Sequence, residues 1–136
     1  MVGRTRECLA IDFGIYDLVR ALCLHVGGQA AEARQVVEDA ERQLESEGSP
    51  NPDYTAELIA QDLASYYGMI GDALGATRWI EFAFDLSPSG VDTRVLGSSL
   101  FEPVRNDPRF SQVIDEMHLT ARERVRNIRT SLAGDL

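Results

Sequence analysis

Lysine is missing from this chain: its 136 residues include 13 basic residues, all of them arginine, against 22 aspartates and glutamates. The formal net charge is therefore −9 at pH 7. An acidic surface repels the phosphate backbone of nucleic acids and the headgroups of anionic lipids. A run of apolar residues long enough to cross a bilayer is also missing. The composition thus argues against nucleic acids and membranes as partners.

Cysteine is scarce, with only Cys8 and Cys23. If both lay on one helix, the rise of about 1.5 Å per residue would separate them by about 22 Å, far beyond the reach of a disulfide. We therefore expect two buried, free thiols in a reducing compartment. Residues 1–14 also lack the basic segment, apolar core and cleavage site of a secretory leader, which favours a cytoplasmic location.

Residue patterns that carry out chemistry are absent too. The two histidines, His25 and His118, are far apart in the chain, and neither belongs to a zinc-binding spacing. The glycine-rich stretch at 68–75 follows a helical pattern rather than a strand, unlike a phosphate-binding loop. Cys23 and His25 stand two residues apart, where the side chains of a helix do not face each other. We expect no enzyme activity, no cofactor and no metal site.

What the sequence does contain is an internal repeat. When the chain is shifted by 43 residues, residues 21–40 align without gaps with residues 64–83, and at seven positions a residue falls on one of similar character. The aligned pairs are Ala21 with Ala64, Leu24 with Tyr67, Gly28 with Gly71, Ala30 with Ala73, Ala33 with Ala76, Val37 with Ile80 and Ala40 with Ala83.

Each copy of the repeat has the pattern of a helical hairpin. The central glycine predicts the turn, because glycine readily adopts the left-handed conformation that ends a helix. Asp72 directly follows Gly71 and suits the start of the next helix, where a carboxylate accepts hydrogen bonds from free amides. In the second copy, Asn51-Pro52 predicts the start of the first helix, and Pro88 predicts the end of the second.

The second copy resembles a tetratricopeptide repeat. The first copy departs from that pattern at Arg20 and Glu45, where a large apolar residue and a proline are usual. The resemblance implies an all-α fold in a single domain, 1–136, in which two antiparallel helical hairpins, over 5–48 and 52–88, stack as a short right-handed solenoid. The matching signature positions are Ala60, Leu63, Ala64 and Tyr67 in the first helix and Ala76, Ile80, Ala83 and Pro88 in the second.

The stretch FEPVRNDPRFSQVIDEM at 101–117 resembles the segment that ends such arrays in bacterial regulatory proteins. We expect an end cap over 99–118, made of a short turn at 101–105 and a capping helix that begins at Asp107 and Pro108. A cap of this kind covers the last hairpin, and we favour it over a ligand clamp. The apolar face of the capping helix is expected to contain Phe110, Val113, Ile114 and Met117.

A terminal helix is predicted over 120–133, with an apolar stripe of its own. This stripe is in register with that of the capping helix, but we favour a break between the two helices near His118-Leu119. Four arginines of the terminal helix lie mostly beside the stripe and are expected to pair with acidic neighbours: Arg122, Arg124, Arg126 and Arg129.

The segment from Cys8 to Val26 is apolar on nearly all sides, which is typical of a helix that is buried on more than one face. Four explanations remain open. This helix forms a homodimer, a partner segment covers it, a domain that precedes this chain covers it, or the terminal helix folds back over it.

The resemblance places ten residues on the concave face of the array, here termed the predicted groove. They would bind an apolar or amphipathic helix, either of a protein partner or of a second copy in a homodimer. We therefore predict a non-catalytic interaction or assembly module. The alternatives are a regulatory domain that senses a small apolar molecule and an accessory subunit of an enzyme complex. The predicted groove comprises Ile15, Leu18, Val19, Leu22, Val26, Leu58, Gln61, Asp62, Ser65 and Met69.

Overall fold

The computed structural model describes Glu7 and residues 17–48, 55–88, 91 and 96–134, and all regular structure in these ranges is helical. The all-α fold class is therefore confirmed for this part of the chain. Its elements are α1 (Asp17–Val26), α2 (Ala30–Glu47), α3 (Ala56–Met69), α4 (Ala73–Leu86), a 3₁₀ helix (Ser99–Val104) and α5 (Pro108–Gly134).

The repeat appears in the backbone as two equivalent turns. Gly28 joins α1 to α2 with φ of 83°, and Gly71 joins α3 to α4 with φ of 82°, as the sequence predicted. Both values lie in the left-handed region that favours glycine. After each glycine, the next amide bonds to the carbonyl five residues earlier: Gln29 to Leu24 at 2.9 Å and Asp72 to Tyr67 at 2.9 Å. These two bonds are 43 residues apart, so the helix ends have the same geometry.

The helix ends around the second turn agree in part with the sequence. Asp72 caps α4 as predicted, because its Oδ1 accepts a hydrogen bond of 3.0 Å from the amide of Gly75. α4 ends at Leu86, two residues before Pro88. The predicted start of α3 at Pro52 is wrong, since the helix begins at Ala56 after Thr55 in extended conformation.

The helices pack in neighbouring pairs. α1 lies against α2, α3 lies against α4, and both α1 and α2 also contact α3. Alanines at the crossing of α3 and α4 have no exposed surface and allow the two backbones to approach closely. Trp79 and Ile80 of α4, each 1% exposed, fill the space beside them. The fully buried alanines are Ala60, Ala64, Ala76 and Ala83.

Glu41 of α2 connects the first pair of helices to the second. One of its carboxylate oxygens accepts hydrogen bonds from the Tyr67 hydroxyl of α3 and, at 3.2 Å, from Nε1 of Trp79 in α4. Burial raises the pKa of Tyr67, and the hydrogen bond to Glu41 raises it further, so the hydroxyl stays protonated. A single carboxylate thus fixes α2 against both helices of the second hairpin.

The 3₁₀ helix and the first part of α5 cover the far side of α3 and α4. Phe101 is fully buried, and its ring stacks on that of Phe110 with 5.4 Å between centroids. Gly68 of α3 makes room for it, because a Cβ at that position would lie 2.8 Å from the Phe101 ring. The short turn and the apolar face of the capping helix are therefore confirmed: Phe110, Val113 and Met117 are buried and Ile114 is half-buried.

α5 begins as the sequence predicted but ends much later. Pro108 is its first residue, and the preceding Asp107 accepts a 2.9 Å hydrogen bond from the amide of Arg109. The predicted break near His118-Leu119 is wrong, because one helix continues to Gly134. No proline or glycine interrupts residues 109–133, so nothing in the local sequence stops the helix. Its length is about 40 Å at 1.5 Å per residue.

The prediction of free thiols is also wrong. Cys23 is 6% exposed and takes part in a disulfide. The only other cysteine of the chain, Cys8, lies outside the described residues. The expected separation assumed one helix over both cysteines, whereas α1 begins at Asp17.

Candidate interaction surface

The predicted groove is only partly a surface. α1 and α3 lie side by side, so the structure brings its two halves together. Leu18, at 2% exposed, and Ser65, at 7%, are buried, while Val26 and Leu58 are exposed at 60% and 39%. Ile15 lies outside the described residues. The other members are half-buried: Val19, Leu22, Gln61, Asp62 and Met69.

Leu18 belongs to the hydrophobic core and does not offer a surface in this structure. It shares one buried cluster with Ala21 and Leu24 of the same helix. α1 packs against both α2 and α3, and this double contact explains why the described helix, Asp17–Val26, is apolar on more than one face. Ser65 is turned inward as well, and its hydroxyl donates to the carbonyl of Gln61 at 2.9 Å.

The terminal part of α5 does not fold back over α1. All described residues from Ala121 to Gly134 are exposed, so this explanation for the apolar first helix is wrong. We term residues 119–134 the arm. The arm carries four large apolar side chains that are more than half exposed: Leu119 at 56%, Val125 at 51%, Ile128 at 60% and Leu132 at 63%.

The apolar stripe of the arm continues the buried face of the same helix. At 100° per residue, Val125, Ile128 and Leu132 lie on the side of α5 that carries Phe110 and Met117. The first half of this face packs against the domain, and α4 is its main helical neighbour. The second half extends beyond the domain, and its residues from Ala121 to Gly134 are exposed. The arm is therefore an amphipathic helix whose apolar face is open to solvent.

A cleft lies between α4 and α5 just before the arm leaves the domain, and we term it the α4/α5 cleft. Its floor contains Phe84 and Met117, which line two adjoining cavities of 290 and 240 Å³. The rim of the smaller cavity carries three exposed acids, Glu81, Asp85 and Glu116. The larger cavity reaches the base of the arm and is lined by Phe84, Pro88, Val91, Met117, Thr120, Ala121, Arg124 and Val125.

The charges of the arm and of the cleft are not neutralised within the described part of the chain. None of the three rim acids forms an ion pair there, and neither do the arginines of the arm. Glu116 has a neutral neighbour instead, since the Gln112 amide donates to it at 3.2 Å. The expected pairing of the arm's arginines with acidic neighbours is therefore not found among the described residues.

Neither a metal-binding cluster nor a membrane-spanning helix is found among the described residues. They include no group of three His, Cys, Asp or Glu side chains arranged to hold a metal ion. Within the same ranges, no helix combines the length and the apolar character that a bilayer crossing requires.

Sequence reasoning located the stripe of the arm but not the cleft. The stripe follows from apolar residues at helical spacing, and its exposure was not anticipated. The cleft residues Phe84, Glu81 and Asp85 carried a usable signal, because acids at 81 and 85 flank an aromatic residue on one helix face. That pattern indicates a cleft only when α5 is known to lie beside α4.

Comparison of the chain with models of protein families, with curated proteins and with solved structures gave no match. The resemblance to tetratricopeptide repeats therefore rests on the residue pattern.

Proposed function

We propose that this chain is a non-catalytic protein interaction module, built as a short right-handed solenoid of the tetratricopeptide type with an end cap. The observation that carries the proposal is the contact between α1 and α3, whose exposed edge presents Val26 and Leu58. The matching turns at Gly28 and Gly71 support the repeat. A partner helix with one apolar face fits such an edge, because it buries apolar area while its polar face stays in water.

The binding surface that we propose is smaller than the predicted groove. Leu18 and Ser65 contribute to folding, and the surface retains the seven described members that are half-buried or exposed. Only Val26 and Leu58 among them are large apolar residues with more than a third of their surface exposed. We therefore expect weak binding, in the range of transient contacts, unless the partner also engages another surface.

A regulatory domain that senses a small apolar molecule is the second candidate. Such a domain needs a pocket that encloses its ligand, commonly about 300–1,000 Å³. Three cavities lined by described residues have volumes of 290, 280 and 240 Å³ and are open clefts at or below the small end of that range. These clefts of the described residues support the interaction module over the ligand sensor. An accessory subunit of an enzyme complex is a special case of the same proposal.

A cytoplasmic location is a further part of the proposal, and the disulfide at Cys23 weighs against it. Disulfides persist in oxidising compartments and are rare in the cytosol. Titration of thiols in protein isolated under conditions that block exchange would decide the matter: two free thiols per chain support the cytoplasm, and none contradicts it.

The experiment that tests the proposed surface compares two variants as bait in affinity capture from the source cells. Val26→Glu with Leu58→Glu changes the α1/α3 edge, and Leu74→Glu changes a residue 61% exposed on α4 as a matched control. We expect a protein that wild type and Leu74→Glu retain and the double variant loses at least about tenfold. Equal retention by all three baits would contradict the proposed surface. Circular dichroism checks that both variants remain folded.

A further inference from the structure

The most prominent unpartnered feature of the molecule is the arm. The arm is about 24 Å long at 1.5 Å per residue, and its apolar stripe is exposed to water. Isolated helices of about 15 residues are marginal in water, and most helices in proteins are stabilised by packing of their apolar face. No described element of the chain packs on the arm, since every described residue from Ala121 onward is exposed. Among the described residues, the stripe is therefore open to a surface of another chain.

The charge of the arm indicates what that surface is like. Four arginines and one glutamate give residues 119–134 a net charge of +3. Since the whole chain carries −9, the remainder carries −12. The arginines flank the apolar stripe on both sides: Arg124 lies on one side, and Arg122 and Arg129 lie on the other. The complementary surface is thus an apolar strip with acidic edges.

The smaller cavity of the α4/α5 cleft has these properties, whereas the larger cavity is bordered by Arg124 at the base of the same copy's arm. Phe84 and Met117 form an apolar floor, and Glu81, Asp85 and Glu116 stand at its rim without an ion-pair partner among the described residues. The arm cannot lie in the cleft of its own chain, because it continues the straight helix that forms one wall of that cleft. The arm of another copy is free to do so.

We propose that the chain forms a reciprocal homodimer in which the arm of each copy lies in the α4/α5 cleft of the other. Val125, Ile128 and Leu132 pack on the half-buried Phe84 at the cleft floor, and the arginines of the arm meet the rim acids. A twofold axis makes the two contacts equivalent. A dimer made of arm on arm alone is disfavoured, because it would bring eight arginines to one contact.

The proposal favours a second copy over a phosphate-rich partner. A basic amphipathic helix also suits an anionic membrane or a nucleic acid. Approach to either surface, however, brings the −12 of the rest of the chain toward like charge. The remainders of two copies also repel each other, but in a second copy the rim acids of the cleft give the arm a local site of opposite charge. The face of one arm is about 24 Å long and 10 Å wide. When both arms are bound, and the buried surfaces of arm and cleft are both counted, the dimer buries on the order of 1,000 Å² in total. An interface of that size gives a weak dimer that dissociates on dilution.

The experiment measures solution mass of the full chain by sedimentation over a dilution series at low and high salt. We expect a monomer–dimer equilibrium that weakens as salt increases. Val125→Glu with Ile128→Glu should raise the dissociation constant at least about tenfold. The control Leu74→Glu, and also the Val26→Glu/Leu58→Glu variant of the α1/α3 edge, should dimerise as wild type does. The two proposals therefore fail independently of each other.

Charge reversal gives a sharper version of the test. Arg122→Glu with Arg129→Glu makes the arm acidic, and Glu81→Arg with Asp85→Arg makes the cleft basic. Each variant alone should be monomeric, because its arm and cleft carry like charge. Their mixture should form a heterodimer, because each arm then meets a cleft of opposite charge.

Three results would overturn the proposal. One is a wild-type monomer at every accessible concentration, and another is a dimer that Val125→Glu/Ile128→Glu leaves unchanged. The third is failure of the two charge-reversed variants to associate although circular dichroism shows both folded. Binding of the monomer to vesicles of phosphatidylserine, or to a DNA duplex, that is lost in Val125→Glu/Ile128→Glu would assign the arm to that surface instead.

Discussion

The two halves of α5 carry one apolar stripe and meet opposite environments. Along residues 108–118 the stripe is buried, with Phe110 at 1% and Met117 at 2% exposed. Along the arm it is open, with Ile128 at 60% and Leu132 at 63% exposed. The helix is unbroken between the halves, so the difference arises from what lies beside it. α4 and the 3₁₀ helix cover the first half, and no described element covers the second.

The difference shows that the two halves of α5 contribute differently to the stability of the domain. The first half stabilises the domain, because its side chains remove apolar area from water as the chain folds. The second half is exposed and contributes no such burial among the described residues. Its apolar side chains are therefore available for a contact made after folding.

Removal of an aromatic ring from the buried half of α5 should lower the free energy of unfolding more than the other changes proposed below. Phe110→Ala deletes a ring that is 1% exposed and stacks on Phe101, and such losses cost about 3–5 kcal/mol. The matched change in the open half, Leu132→Ala, should alter stability of a dilute monomer by less than about 0.5 kcal/mol. Urea unfolding of both variants, at a concentration below the dimer range, measures the contrast. Equal losses would mean that the arm is packed in the monomer.

A methyl group placed between α3 and the 3₁₀ helix should have an intermediate effect. In Gly68→Ala the new Cβ would lie 2.8 Å from the Phe101 ring, which is buried and cannot easily move. Overpacking of this kind costs about 1–3 kcal/mol, although alanine is the better helix former. Gly134→Ala is the control, because a Cβ there meets nothing within 4 Å. Thermal unfolding should show a lower midpoint for the first variant and no loss for the second.

Removal of the cap at the start of α5 should cause the smallest loss of stability, and this loss should depend on pH. The Arg109 side chain, and then the Arg109 amide, hydrogen-bond to Asp107 and lower the pKa of its carboxyl below the ordinary value of 3.8. A carboxyl whose pKa is lower in the folded state than in the unfolded state stabilises the fold at pH values above its unfolded-state pKa. That stabilisation is lost as the pH falls through its folded-state pKa. Asp107→Ala should therefore be less stable than wild type at pH 5–8, and the gap should narrow below about pH 4. A gap that stays constant from pH 7 to pH 2 would contradict this role.

Much of the local structure could be predicted from short stretches of sequence. Gly28 and Gly71 end helices because the left-handed backbone there disfavours other residues. Asp72 and Asp107 begin helices because their carboxylates accept bonds from amides two or three residues later. The apolar face of the capping helix follows from spacing alone. These features involve residues that are neighbours in the chain, so their physics is local.

Features that depend on distant residues were missed or misjudged. The hydrogen bonds from Tyr67 and Trp79 to Glu41 span 26 and 38 residues, and no residue near Glu41 in the sequence predicts them. Leu18 was expected on a surface and lies in the core, because α2 and α3 both pack on α1. Cys23 was expected as a free thiol, because an unbroken helix was assumed to extend back to Cys8.

The sequence by itself determined the helices, their caps, the 43-residue repeat and the stripe along α5. These follow from backbone preferences and helical spacing, which act within a few residues. Only the tertiary structure decided which apolar residues are buried. The stripe of α5 has the same period before and after His118, yet its first half is core and its second half is exposed. Periodicity tells which side of a helix is apolar, and burial depends on whether another element lies against that side.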